Sequence, residues 1–485
     1  MSLVDLQTAA RRALITAGFP VDFPAFDDPT LTNPIIGLAS TRAGASPGDL
    51  RHLIWSSIDN DESRDLDQVE VAEARPDGTA RIMVGIADVD AYVPKDSPLD
   101  IAAAARTTSV YTGAGNFPML PPGLSEGATS LLAAQDRPAV VTELIVGPSG
   151  EVLGHNVYRA TLRNRAKLTY EEIGKWLDNC GQLPPEAMST PGLEIQLRIQ
   201  DIVSAQLRAV RMAAGALDFD TIEARPVVEN GRVVDLAVPS RGRARSLIEN
   251  FMIAANTAVS GFLKERNFPS IQRIVRRPAR WDRIVEIANS AGDSLPSTPD
   301  SVALSAFLNR RRQSDPEHFA DLSISVVKLI GPGEYEVVAP GQDLGEHFGL
   351  AVYGYTHSTA PNRRYVDLVT QRLLKAACDG KPSPYSVEEL NAIATNANAR
   401  AQSARKIERT MRKIIAASLM QPRIGQTFNA IVTGVKSGGT YVRLLQPPVE
   451  GRVMRGQHNM DVGDRVRVRL IGVDVDQGFI DFARV

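Results

Sequence analysis

The stretch SSIDNDESRDLDQVEVAE, residues 56–73, sets the first constraint on the fold. It places four aspartates and three glutamates against one arginine. Just downstream, RIMVGIADVDAYV (81–93) is β-branched and apolar, as a strand requires. Like charges repel, so a chain that sets so many carboxylates beside strand sequence must solvate them or supply a cation. Three readings stand. A solvated charged loop is the commonest fate of such a run. A calcium loop would use Asp59, Asp61, Ser63 and Glu70, but Arg64 occupies the place where that loop needs glycine, and the flanks read as strands. A magnesium site for phosphoryl transfer would need Asp59, Asp65 and Asp67 to converge in an irregular loop, since hard divalent cations take carboxylate oxygens. Spacing alone does not choose among them.

The rest of the chain narrows the class. Its 485 residues, 43% hydrophobic and 23% charged, suit a globular protein of two to four domains, and the net charge of -2 carries no global nucleic-acid signal. Cys180 and Cys378 are far apart and in no metal-ligand spacing, which argues against a disulfide framework or a zinc site and suits a reducing cytoplasm. The start, MSLVDLQTAARRALITAG, lacks the basic and apolar blocks of a signal peptide. No apolar run approaches the roughly 18 residues needed to span a bilayer. The expectation is a soluble, cytoplasmic protein without a membrane partner.

Residues 3–17 have helical spacing, and 18–50 read as turns, so 1–45 form a short helical module, of helix-turn-helix or winged-helix kind. Residues 46–398 read as one large α+β domain: strands to about 160, helices in LTYEEIGKWLDN and SLIENFMIAANTAVSGFLKERN, strand-like DLSISVVKLIG and EYEVVA near 321–339, and a helix after TAPNRRYVDL. Residues 399–423 read as a basic connecting helix. Residues 424–485 give about five short strands with clean alternation, as in RVRVRL, which fits a small OB barrel that binds single-stranded nucleic acid.

The stretch IDNDESRDLDQVEVAE followed by VGIADVDAYVPKDSPLDIAAAARTTSVYTGAGNFPMLPPGLSEGATSL resembles the catalytic domain of the ribonuclease II/ribonuclease R family. So, in order, do LTYEEI, GALDFDTIEA, SLIENFMIAAN, HFGLAVYGYTHSTAPNRRYVDL and KIERTM, while the C-terminal barrel resembles the S1 class of OB-fold. The resemblance covers about residues 50–420. It implies an α+β chain with an RNB-type catalytic domain and an S1 barrel. It also implies a monomeric, processive 3′→5′ exoribonuclease that hydrolyses single-stranded RNA to nucleoside 5′-monophosphates with Mg2+ or Mn2+.

Carried over by residue, the resemblance makes Asp65, Asp67 and Arg363 catalytic and gives the metal to Asp59, Asp65, Asp67 and Gln68. Gln68 departs from the pattern, where a fourth aspartate is usual; its carbonyl ligates but brings no charge, which keeps an RNA-binding pseudo-nuclease as the alternative. Arg363 would stabilise charge on the scissile phosphate, with Arg364 beside it. Ala360 and Asn362 replace a usual serine and isoleucine, so local repacking is expected. Tyr111 and Phe219 match base-clamping aromatics, and Glu249 and Glu408 match acids along the RNA path. In the barrel, Phe428 and Tyr441 are the stacking candidates; Arg443, Arg452, Arg455 and Arg467 are those for phosphate. A surface aromatic of the S1 pattern falls at Gly438. The 1–45 segment is too short for the family's usual two cold-shock domains, and RNA is expected to enter between it and the barrel.

Overall fold

The computed structural model describes residues 3–23, 48–220, 225–229, 232–237, 242–436 and 439–485. The second half of the expected N-terminal module, residues 24–47, and Gly438 lie outside them. The chain begins with helix α1 (Leu3–Thr16) and then lays down β1 (Gly48–Asp49), β2 (Trp55–Asp59), β3 (Gln68–Ala74) and β4 (Ala80–Ala87). Helix α2 (Pro98–Arg106) and the small hairpin β5 (Val110–Tyr111) and β6 (Asn116–Phe117) precede the long strands β7 (Asp136–Val146) and β8 (Val152–Thr169). The sheet order is β1-β8-β2-β3-β4-β7. The first part of β8 pairs with β7 and its last residues with β2, so the sheet curls back on itself.

Period-two alternation divides this sheet into two cores. On one face Ile58, Ala72, Ile82, Val84 and Ile86 pack under α3 (Tyr170–Leu177), α5 (Leu193–Ala213) and α6 (Arg243–Glu265). On the other, Trp55, Val69, Val71 and Met83 pack under α10 (Tyr365–Cys378), through Leu368, Val369 and Leu373. The short helix α4 (Pro185–Met188) precedes α5. The strands β9 (Arg225–Glu229) and β10 (Arg232–Ala237) form a hairpin before α6, and β11 (Ser270–Ile274) follows it. A third apolar cluster gathers α7 (Trp281–Ser290), α8 (Ser301–Ser314) and α9 (Phe319–Ile330) around Ile284, Phe307 and Val326.

Helix α9 corrects the expectation of a strand at DLSISVVKLIG. Its β-branched residues favour a strand locally, but Phe319, Ser323 and Val326 are the positions it buries, and that spacing is helical. Gly331, at a φ of 90°, ends the helix. The strand expected at EYEVVA is present as β12 (Glu334–Val338), paired with β11. Beyond it come the short pair β13 (Glu346–His347) and β14 (Val352–Tyr353).

The basic segment 399–423 is not a separate linker. It is the latter part of α11 (Val387–Met420), a helix of 34 residues started by a Ser386/Glu389 capping box. Arg405, Lys406, Arg409, Arg412 and Lys413 are exposed, while Ala404, Ile407, Met411 and Ile415 form a stripe that packs on Leu6, Ala10 and Leu14 of α1. Past α11, β15 (Thr427–Lys436), β16 (Gly439–Leu444), β17 (Glu450–Arg455), β18 (Arg465–Asp474) and β19 (Phe479–Arg484) close into a barrel. Among the described residues no helix is long and apolar enough to cross a membrane.

Candidate active site

The acidic loop leaves the sheet at Asp59, the last residue of β2, and returns at Gln68, the first of β3. Asp59 Oδ1 accepts the Asn60 N–H at 2.7 Å and the Ser63 hydroxyl at 3.0 Å, which turns the chain sharply at the strand end. Leu66, 1% exposed, anchors the loop in the core. Its N–H donates to Ser130 Oγ at 3.0 Å, and the Ser130 hydroxyl donates to the Arg64 carbonyl at 2.6 Å. On the outside, the Lys167 ammonium donates to the Asp61 carbonyl at 2.7 Å and Arg245 to the Asn60 amide oxygen at 3.0 Å. Asp61, Glu62 and Arg64 face solvent, but side-chain hydrogen bonds tie the loop backbone to the body of the domain.

Two remote segments close over it. In the first, Asp67 Oδ1 accepts the backbone N–H of Asn362 at 3.1 Å, and Asp67 Oδ2 lies 3.3 Å from Nε of Arg363. Asp67 is 2% exposed, whereas the Arg363 side chain is 44% exposed, so the guanidinium has one flank on the carboxylate and another in the open. In the second, the segment before β5 pairs with the same turn. The Ser109 N–H donates to the Arg363 carbonyl at 3.0 Å, and the Tyr365 N–H donates to Thr107 at 2.8 Å. This brings the Tyr111 phenol into the electrostatic reach of Arg363, Asp65 and Asp67. The Tyr111 N–H donates to Glu408 Oε1 at 3.1 Å, so α11 holds the hairpin by its backbone and leaves the ring exposed.

Burial dominates the electrostatics. It raises the Asp67 carboxyl to about 7, with Arg363 opposing and Asp65 adding to the rise. It also raises Asp65, against Arg363 and with Asp59 and Glu126. Glu70, a candidate of the calcium-loop reading, is fully buried in β3 and among the described residues has no hydrogen-bond partner on either oxygen. Burial first, and Asp59 second, push its carboxyl well above the ordinary range. An unpartnered buried polar group costs about 1–3 kcal/mol.

The donor set suits a hard divalent cation: three aspartate carboxylates and the Gln68 carbonyl are all oxygen ligands, and the acids repel one another. Among the described residues no three Asp, Glu, His or Cys side chains stand close enough to share one ion. Asp67 spends its oxygens on Asn362 and Arg363, so the guanidinium supplies the positive charge there. The residues fit the ion in kind, and Asp67 ligates it only by yielding Arg363.

Arg364 is held by Asp367 at 2.7 Å, while its Nε has no partner. Asn362 does more than repack: it is 1% exposed, and its amide oxygen accepts the Thr129 hydroxyl at 2.6 Å. Ala360 is fully buried, and its N–H donates to Asp367 at 2.8 Å. No local sequence signal ties Thr129 or Ser130 to the aspartates. Phe219 sits half-buried against the α7–α9 cluster, and Glu249 is exposed on α6. His357 is buried with Nδ1 2.8 Å from the Tyr335 hydroxyl. In the barrel, Phe428 packs partly on the core and Tyr441 is 37% exposed. Arg443 turns inward to Asp321 of α9 at 2.6 and 3.2 Å, whereas Arg452, Arg455 and Arg467 are exposed.

The profile of the RNB domain matches residues 48–380, and that of the RNase II-type exonuclease C-terminal S1 domain matches 426–485. Ribonuclease R 1 of Lactococcus lactis is 28% identical over 467 residues, 90% of this chain and 56% of the relative, so the chain spans little more than half of that protein. The structure of Mycoplasma genitalium RNase R with ribose-methylated single-stranded RNA has a TM-score of 0.85 at 23% identity, over 99% of this chain and 78% of the other. Yeast Ssd1, a pseudonuclease, has a TM-score of 0.72 at 18% identity, over 92% of this chain and 55% of the other. With an RNB domain over residues 48–380 and an S1 domain over 426–485, the chain belongs to the RNB-domain family of RNase II-type proteins.

Proposed function

We propose that the protein is a processive 3′→5′ exoribonuclease. It would act as a monomer on single-stranded RNA and release nucleoside 5′-monophosphates with Mg2+ or Mn2+. The observation that carries this reading is the meeting of three remote segments: Asp65 and Asp67, the Tyr111 hairpin, and the Asn362–Arg363 turn. Asp59, Asp65, Asp67 and the Gln68 carbonyl would hold the cation. When bound, it supplies Lewis-acid stabilisation of phosphoryl oxygens and eases deprotonation of water.

The chain's own groups do the rest. Arg363 exchanges Asp67 for the scissile phosphate, where a fixed guanidinium meets growing charge. Arg364, pinned by Asp367, is the candidate for a neighbouring phosphate. The exposed Tyr111 ring stacks on a terminal base, with Glu408 fixing its backbone. Phe219 and Glu249 line the path further out, and helix α1 and the barrel flank the entry. Phe428 and Tyr441 stack there, while phosphates fall to Arg452, Arg455 and Arg467, because Arg443 is committed to Asp321.

Gln68 favours a second reading, an RNA-binding pseudo-nuclease. One experiment separates them: incubate 5′-labelled single-stranded RNA with the protein and Mg2+ or Mn2+. Collapse to a few-nucleotide end product with released 5′-monophosphates supports the nuclease. Binding without cleavage in either metal supports the alternative.

A further inference from the structure

Side chains alternate along a strand, so Gln68 and Glu70 of β3 point to the same face of the sheet. Gln68 is 8% exposed at the mouth of the acidic loop, and Glu70 lies two residues deeper, fully buried. Neither oxygen of Glu70 has a hydrogen-bond partner. Ser56 stands opposite Glu70 in register, and its Oγ is also buried without a partner. The charge of Asp59 reaches Glu70, and the Tyr170 phenol feels both. Other acids of this sheet and its surroundings are matched. Glu143 takes Arg81 and the Tyr158 hydroxyl, at 2.6 and 2.7 Å. Asp88 takes Lys375 at 2.7 Å. A carboxyl group kept dry and unpartnered beside an acidic loop holds two ligand oxygens that the folded chain leaves unused.

We propose that Glu70 supplies, from two residues further along β3, the negative charge that Gln68 does not bring to the cation site of Asp59, Asp65 and Asp67. Gln68 then serves as a neutral ligand or spacer, and the glutamate's extra methylene makes up part of the offset along the strand. Four carboxylates then serve the ion in place of three, drawn together by it, because apart from it no three of the described acids stand close enough to share one. The inference rests on the metal-dependent reading above and assigns a residue that the family comparison did not mark.

The test is calorimetric titration of Mn2+ into the full chain after chelator treatment. Glu70→Gln is expected to weaken Mn2+ binding by at least about tenfold, as loss of a residue supporting a metal site does. Its melting temperature in chelator should stay close to that of the wild type, because glutamine keeps the size of the side chain and Glu70 makes no hydrogen bond among the described residues. Gln68→Asp combined with Glu70→Val returns the charge to position 68 and should restore affinity to within about threefold of wild type. This double variant also settles the matter if Glu70→Gln fails to fold. Wild-type affinity in Glu70→Gln, or no recovery in the folded double variant, overturns the role of Glu70 alone. A wild-type protein that takes up no Mn2+ overturns this role and the metal-dependent reading together.

Discussion

Asp67 and Arg363 lie 296 positions apart in the chain and share an ion pair at 3.3 Å, with the acid buried and the base half open. The pair couples the loop that would hold the ion to the turn that would hold the phosphate. Asp67→Asn should lower hydrolysis of single-stranded RNA by at least about 10³-fold, while the Kd for RNA by filter binding stays within about threefold. Arg363→Lys keeps the charge but loses the fork, and should cost about 10²-fold in kcat. Equal RNA loss from the wild type and Asp67→Asn would remove the aspartate from the chemistry.

Asn362 positions Asp67 through its backbone and is itself fixed by Thr129. Asn362→Leu removes one of two acceptors of the Thr129 hydroxyl, which keeps the Leu124 carbonyl at 2.7 Å, and should lower stability by no more than about 1 kcal/mol. Urea melts measure that loss. Because the contact is to a residue of the chemistry and not to RNA, kcat should fall with KM little changed. A KM effect alone would place Asn362 on the binding surface instead.

Arg443 and Asp321 join barrel to body in a two-pronged pair at 13% and 16% side-chain exposure. A double-mutant cycle on Arg443→Ala and Asp321→Ala should give a coupling of about 1–3 kcal/mol in stability. Arg452→Ala or Arg467→Ala should instead leave stability alone and reduce the salt slope of RNA binding by about 0.7 each. An Arg443 substitution that lowers the slope as strongly would show that the arginine leaves Asp321 for RNA.

Acid should loosen the floor below the Arg363 turn. Burial lowers the His347 imidazole from 6.5 to about 4, and its neutral Nδ1 accepts the Leu350 N–H at 3.2 Å. Burial, then Arg364, drives His357 well below 6.5 too. A depressed histidine contributes stability that is complete above its unfolded value and lost as pH falls through its folded one. Melting temperature should therefore hold above about pH 6.5 and decline toward pH 4, with His347 accounting for about 2–3 kcal/mol. His347→Gln should flatten part of that decline.

The barrel was legible because one physical rule governs it: in β18, Val466, Val468 and Leu470 are buried and the arginines between them are exposed. Helix α10 was legible from its spacing after Pro361. Helix α9 was not, since β-branched residues favour a strand until tertiary packing selects Phe319, Ser323 and Val326. The acidic loop announced its chemistry, but its supports did not. Ser130 and Thr129 are short polar residues far from it in sequence, with no pattern of their own. Glu70 entered only as a calcium-loop candidate, and nothing in the sequence marked it as a buried acid on a strand buried on both faces.

Helix α11 enters three apolar clusters in succession: Leu390 and Ala394 under the main sheet, Ile407 and Met411 against α1, Ala417 and Met420 inside the barrel. At about 1.5 Å per residue it is roughly 50 Å long. The joint between body and barrel is therefore a strut and not a hinge. On the proposed reading, RNA held at the barrel would load the same strut whose Glu408 grips the Tyr111 hairpin, so tension there would reach the ring proposed to stack on the terminal base.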